Sequence, residues 1–150
     1  MQRFKGDVMR EANPARALDP LRLATAAVLL DIGYADGTLT TEESGDLLGY
    51  LKHAFALGDQ DAGDLVNAAQ EIRNRTIDHF AMTSFIRKHA TLDERVEIVR
   101  TMWRMVYADG KLTDYENYLV RKLADLLGLE HHVMIEAKVA VLRELGMATP

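Results

Sequence analysis

Apolar residues recur at every third or fourth position along most of this chain, which is the spacing of an amphipathic α-helix. Residues that start and stop helices divide the pattern into segments. The first segment begins at Asp19-Pro20 and ends at Gly37, and the next runs from Thr40 to a stop at Gly58. Later helix starts fall at Asp59 or Asp61, Asp78, Thr91, Thr113 and about Glu130. The pattern predicts an all-α bundle of about seven helices, and a short helix is also predicted near residues 2 to 12.

A ten-residue phrase occurs twice in the chain, at residues 34–43 and 107–116. Both copies follow the pattern Tyr-Ala-Asp-Gly-x-Leu-Thr-x-x-Glu, and each lies between two stretches with helical spacing. The repetition predicts two similar helix-loop-helix units within one domain that spans residues 1–150.

Most residues of the phrase have a structural interpretation. Gly37 follows the end of a helix, where a backbone with positive φ is favourable for glycine, and Gly110 takes the same place in the second copy. Thr40 with Glu43 forms a predicted capping box, as do Thr113 and Glu116. We also expect Leu39 and Leu112 to pack into the core.

The aspartates of the phrase, Asp36 and Asp109, are harder to explain, because a carboxylate at the end of a helix faces the negative end of its dipole. One interpretation is an Asx-type contact to backbone N–H groups at the start of the following helix. Another is an ion pair with Arg or Lys. A third is the binding of a divalent cation (calcium, magnesium, manganese or zinc), singly in each loop or jointly if the two units pack face to face, with ligands Asp36, Glu43, Asp109 and Glu116.

A calcium loop of the EF-hand type fits only half of the phrase. With Gly37 at the invariant glycine of that loop, Glu43 falls at the terminal bidentate position. The first and third ligand positions are then Ile32 and Tyr34, which lack carboxylates. Neither loop alone supplies the six to eight oxygens that calcium prefers.

Composition limits the classes of function. The net charge of −5 argues against a sequence-independent nucleic-acid binder, which needs a basic face. The chain has no cysteine, which excludes disulfides and thiolate sites. No apolar run is long enough to span a membrane, so we expect a cytoplasmic protein.

Sequence motifs of catalysis are absent. There is no His-Glu-x-x-His zinc motif, no glycine-rich phosphate loop and no serine elbow. We therefore expect no enzyme, and a cation-binding module is the first hypothesis. A scaffold that recruits a protein partner is the second, and an acid-base enzyme that uses the same carboxylates is the third. The oligomeric state is left open.

The repeated phrase, together with Leu126-Leu127-Gly128-Leu129, resembles the TerB-like tellurite-resistance family over roughly residues 20 to 145. The resemblance implies a compact all-helical domain in a bacterial stress-response context, with no established catalytic chemistry. It also implies metal binding at the acidic positions, which correspond to Asp36, Glu43, Asp109 and Glu116. Similar domains occur at the start of some DnaJ-like co-chaperones, but no J-domain signature is present here.

Overall fold

Seven α-helices make up the residues that the computed structural model describes, which are 19–75, 78–108 and 110–147. No strand occurs in these ranges, which confirms the all-α prediction. The short helix predicted near residues 2 to 12 lies outside them. The helices are α1 (Pro20–Gly33), α2 (Thr41–Phe55), α3 (Asp59–Arg75), α4 (His79–His89), α5 (Leu92–Val106), α6 (Asp114–Leu126) and α7 (His131–Glu144).

Side-chain caps begin most of the helices where the sequence predicts them. Asp19 accepts a hydrogen bond from the N–H of Leu21 at 2.8 Å, and Pro20 takes the first position of α1. Asp78 accepts from the N–H of Ala81 at 3.2 Å. The remaining confirmed caps are the capping boxes of Thr40 with Glu43, Thr91 with Glu94 and Thr113 with Glu116.

The predicted stop of α2 at Gly58 is wrong, whereas α3 begins at Asp59, one of its two predicted start positions. Helix α2 ends at Phe55, and Ala56 rather than Gly58 takes the left-handed conformation, with φ of 53°. Helix α3 already includes Asp59, so this residue lies in the first turn rather than before it. Asp59 instead accepts a hydrogen bond from Lys52 Nζ at 2.8 Å.

Helix α1 is the centre of the bundle and packs against α2, α3, α4 and α5. Its sequence is apolar on nearly every side, as is typical of a helix that is surrounded by others. Helix α5 also packs against α2, α6 and α7. Trp103 of α5 is fully buried in the shared core.

Charged side chains join helices that are distant in sequence. Asp31 of α1 accepts a hydrogen bond from Arg73 Nε of α3, and its other oxygen lies 2.9 Å from Nε2 of His79 in α4. Arg104 of α5 contacts Glu144 of α7 through two hydrogen bonds of 2.7 and 3.1 Å. These contacts connect α1 to α3 and α4, and α5 to α7.

None of the helices in the described ranges is long and apolar enough to cross a membrane.

Candidate functional site in the two acidic loops

The first loop (residues 34–40) and the second loop (residues 107–113) begin with the same turn. Tyr34 and Tyr107 end their helices with φ of −96° in both cases. The N–H of Gly37 donates to the carbonyl of Tyr34 at 2.9 Å, and the N–H of Gly110 donates to that of Tyr107 at 2.9 Å. Both glycines have positive φ, as predicted, with values of 100° and 81°.

The capping boxes at the ends of the two loops also match in geometry. Thr40 N donates to Glu43 Oε1 at 2.9 Å, and Glu43 N donates to Thr40 Oγ1 at 3.1 Å. The corresponding distances between Thr113 and Glu116 are 2.9 and 3.1 Å. The structure therefore assigns both glutamates a role in starting α2 and α6.

Leucines anchor both loops to the core. Leu39 and Leu112 are half-buried and pack against the central cluster of apolar residues, as predicted. Leu39 lies so close to the end of α1 that a Cβ at Gly33 would be 2.4 Å from its Cδ1. Glycine at position 33 thus leaves room for the leucine of the first loop.

Asp36 makes the Asx-type contact that the sequence suggests, but with a different partner. Its Oδ1 accepts from the N–H of Thr38 at 3.2 Å, within the loop and not at the start of α2. Asp36 is otherwise exposed. Its counterpart in the second loop, Asp109, lies outside the described residues.

Glu43 is the member of the predicted set whose electrostatics are most perturbed. Only 4% of the residue is exposed, and this burial raises the pKa of its carboxyl. Hydrogen bonds from Thr40 lower that pKa, whereas the negative charges of Asp36 and Glu116 raise it further. The negative charge of Glu116 therefore acts on Glu43 and connects the acidic residues of the two phrases electrostatically.

Within the ranges that the structure describes, no group of three or more His, Asp or Glu side chains is placed to hold a metal ion. Since Asp109 falls outside those ranges, the four-residue ligand set stays a prediction. Over the described part of the chain, Asp36, Glu43 and Glu116 have no salt bridge to Lys or Arg.

Sequence reasoning missed the role of Asp31, which binds Arg73 and His79 from the last turn of α1. The signal was present, because Asp31 is the only acidic residue in the otherwise apolar helix α1. A charge on such a helix requires a partner when the helix is buried. The geometry and the two partners indicate a structural role in joining three helices.

Comparison with known proteins gives one match. The model of the family described as Tellurite resistance protein TerB matches residues 22–139. No curated protein matches the chain, and no solved structure does so. The match includes both loops and all four predicted ligand positions.

Proposed function

This chain belongs to the TerB family of tellurite resistance proteins, and we propose that it is a non-enzymatic binding domain whose two acidic loops take up a divalent cation. The ligands in this proposal are Asp36, Glu43, Asp109 and Glu116. The setting is a cytoplasmic stress response in a bacterium.

One feature supports the proposal, and it is the effect that negative charges from both loops have on the pKa of the buried Glu43. Glu43 is nearly buried, and the charges of Asp36 and Glu116 make its ionisation less favourable. A cation placed among these groups replaces repulsion with attraction, and the gain is greater where water is largely excluded.

The ligand atoms favour a hard cation. Carboxylate oxygens suit calcium, magnesium and manganese better than softer metals. Capping uses Oε1 of Glu43 and of Glu116, and a carboxylate has a second oxygen with which to bind an ion. Water would complete the coordination shell, so we expect an affinity below that of a full calcium loop.

Isothermal titration calorimetry of the metal-stripped chain with calcium, magnesium, manganese and zinc tests the proposal. The informative variant is Glu43→Gln/Glu116→Gln, because glutamine keeps an oxygen for the capping box and removes the charge. Glu94→Gln is the matched control, since Glu94 has the same capping role in α5 away from the loops. A second variant, Asp36→Asn/Asp109→Asn, tests the aspartates.

We expect saturable binding in the parent and in Glu94→Gln, and none in the two double variants. Binding should also weaken as the pH falls towards the raised pKa of Glu43, because the proton and the metal compete for that carboxylate. Equal binding by the parent and Glu43→Gln/Glu116→Gln would refute the site. No heat with any of the four ions would refute cation binding altogether.

A scaffold function is the second candidate, and a pair of exposed aromatic residues favours it. Tyr115 and Tyr118 of α6 are 54% and 57% exposed, and their ring centroids lie 6.4 Å apart. Tyrosine is enriched at protein interfaces, where it provides apolar area and a polar tip. Co-precipitation of a partner that survives removal of metal, and that Tyr115→Ser/Tyr118→Ser abolishes, would favour this candidate over the first.

A further inference from the structure

A cleft of about 390 Å³ opens at the end of α2 that points away from the acidic loops. The start of α1, the end of α2 and the junction between α4 and α5 form its walls. The volume lies at the lower end of the range of pockets that bind small molecules. Nothing in the proposed cation site accounts for this cleft.

Two aromatic rings form part of the lining. Tyr50 and Phe55 pack edge to face, with ring centroids 6.2 Å apart and an angle of 74° between their planes. The guanidinium of Arg22 already lies over the ring of Phe55, 5.2 Å from its centroid. The face of an aromatic ring attracts positive charge, and on Phe55 that position is already taken by Arg22, so this wall suits mainly the apolar body of a ligand.

Acidic residues of α5 line the same cleft, namely Asp93, Glu94 and Glu97. Glu94 Oε1 is occupied by the N–H of Thr91 at 2.7 Å, and Glu97 is paired with Arg104 at 3.0 Å. Asp93 is exposed and has no ion pair or hydrogen-bonding partner among the residues of the described ranges. It is therefore the carboxylate that remains available to a ligand.

The charges of these groups reach the floor of the cleft. Burial raises the pKa of the Tyr50 phenol, and the negative charges of Glu97 and Glu94 raise it further. Arg100 and His53 also line the cleft, but Arg100 lies 3.4 Å from Glu97 and is partly offset by it. The three carboxylates that line the cleft outnumber Arg100 and the neighbouring Arg22, so the cleft favours cations over anions.

We propose that this cleft binds a small organic cation, a protonated amine whose apolar chain packs on Tyr50 and Phe55 while its ammonium group faces Asp93. The aromatic wall recognises the apolar chain of such a ligand, and the carboxylate of Asp93, which has no other partner among the described residues, recognises its ammonium group. A neutral molecule of the same shape would use only the wall. An anion would be repelled by the rim.

An isosteric series tests the charge requirement. The ¹⁵N-labelled full chain is titrated with hexylammonium, hexanol and hexanoate, and chemical shifts are followed by NMR. We expect saturable changes for hexylammonium centred on Tyr50, Ala90 and Ile98, which line the cleft. Hexanol should bind about threefold more weakly, because it lacks the charge contact with Asp93. Hexanoate should not bind.

Asp93→Asn provides the residue-level test, and we expect it to weaken hexylammonium binding about threefold, the effect of losing one exposed charge contact. Glu42→Gln is the matched control, because Glu42 follows its capping threonine by two residues in α2, as Asp93 does in α5. The control should bind like the parent. Circular dichroism melting of each variant checks that the fold is retained.

Three results would overturn the proposal. One is equal affinity for hexylammonium and hexanol, and another is a set of shift changes away from the cleft. The third is a change in the chemical shifts of the cleft residues in the absence of amine. It would be seen either when the protein is diluted or when Arg3, Lys5, Arg10 and Arg16 are replaced with Gln. Such a change would mean that a second copy or the chain's own first residues occupy the cleft instead.

Discussion

Gly128 follows the end of α6, and a side chain is unfavourable there for two reasons. The backbone has positive φ, and two arginine side chains lie close to the position that a Cβ would take. The φ of Gly128 is +82°, and its N–H donates to the carbonyl of Asp125 at 2.9 Å. A Cβ at this position would lie 2.7 Å from Arg87 Nε and 3.0 Å from Arg95 Nη1. That nitrogen donates a hydrogen bond of 2.8 Å to the carbonyl of Leu127. Gly128→Ala should therefore disturb both the turn and the arginine that caps the helix.

Gly110→Ala isolates the backbone part of this effect. Gly110 has nearly the same φ, +81°, and over the described ranges its Cβ would meet no atom within 4 Å. An L-residue in the left-handed region costs about 1–2 kcal/mol. Reduced freedom of the unfolded chain offsets about 0.4–1 kcal/mol of that cost. We expect Gly110→Ala to lower the free energy of unfolding by about 1 kcal/mol.

Gly128→Ala should cost about 3 kcal/mol. The backbone contribution is the same, and loss of the charged hydrogen bond from Arg95 to Leu127 adds about 2 kcal/mol. For a chain of this size, 1 kcal/mol corresponds to about 2–4 °C in Tm. Urea denaturation followed by circular dichroism at 222 nm measures both variants under the same conditions.

A third comparison separates the two arginines. In an Arg87→Ala background, Gly128→Ala should cost less than it does in the parent, since one of the two close contacts is gone. Equal losses for Gly128→Ala and Gly110→Ala would refute the reasoning. That result would mean that Arg87 and Arg95 move aside without loss and that only the turn matters.

Three further predictions concern buried or paired charges, each checked by urea denaturation. Glu43→Gln should raise the free energy of unfolding at pH 7, because the pKa of Glu43 is raised in the fold and its ionisation opposes folding above that pKa. This advantage over the parent should shrink as the pH falls to 4, and a gain independent of pH would contradict it. Glu144→Gln should cost about 0.5 kcal/mol at pH 7, since Arg104 lowers the pKa of the half-exposed Glu144. That cost should disappear as the pH falls through the lowered pKa, and a cost that persists in acid would argue against the pair. Asp31→Asn should cost about 2 kcal/mol, because Arg73 and His79 lose a charged partner that is only 15% exposed. An unchanged midpoint would mean that the three-helix contact adds no stability.

The sequence predicts features that depend on a few neighbouring residues. The capping boxes of Thr40 and Thr113, and the positive φ of Gly37 and Gly110, are local and are confirmed. The boundary at Gly58 is wrong for a local reason as well. Ala56, two residues earlier, has the left-handed conformation instead. In this turn the N–H of Leu57 donates a hydrogen bond of 3.0 Å to the carbonyl of Lys52.

Features that depend on packing between distant segments cannot be predicted from a few neighbouring residues. The effect of Glu116 on the pKa of Glu43 joins residues from the two loops, and no local pattern encodes their separation. The same holds for Arg104 and Glu144, which are 40 positions apart in sequence. The cleft beside Tyr50 arises from three separate walls, so its existence follows only from the assembled bundle. The geometry of the two loops matches, but similarity between the complete helix-loop-helix units stays a prediction.

Trp103 gives this protein an intrinsic optical probe. It is the only tryptophan in the chain and is fully buried, and its Nε1 has no acceptor among the described residues. An indole in dry, apolar surroundings emits at shorter wavelength than one in water. The ammonium of Lys138 lies 5.0 Å from the centroid of the Trp103 ring. Fluorescence of the unlabelled chain should therefore report on a single point at the core. A red shift that precedes the loss of circular dichroism at 222 nm would signal that water enters the bundle while its helices remain.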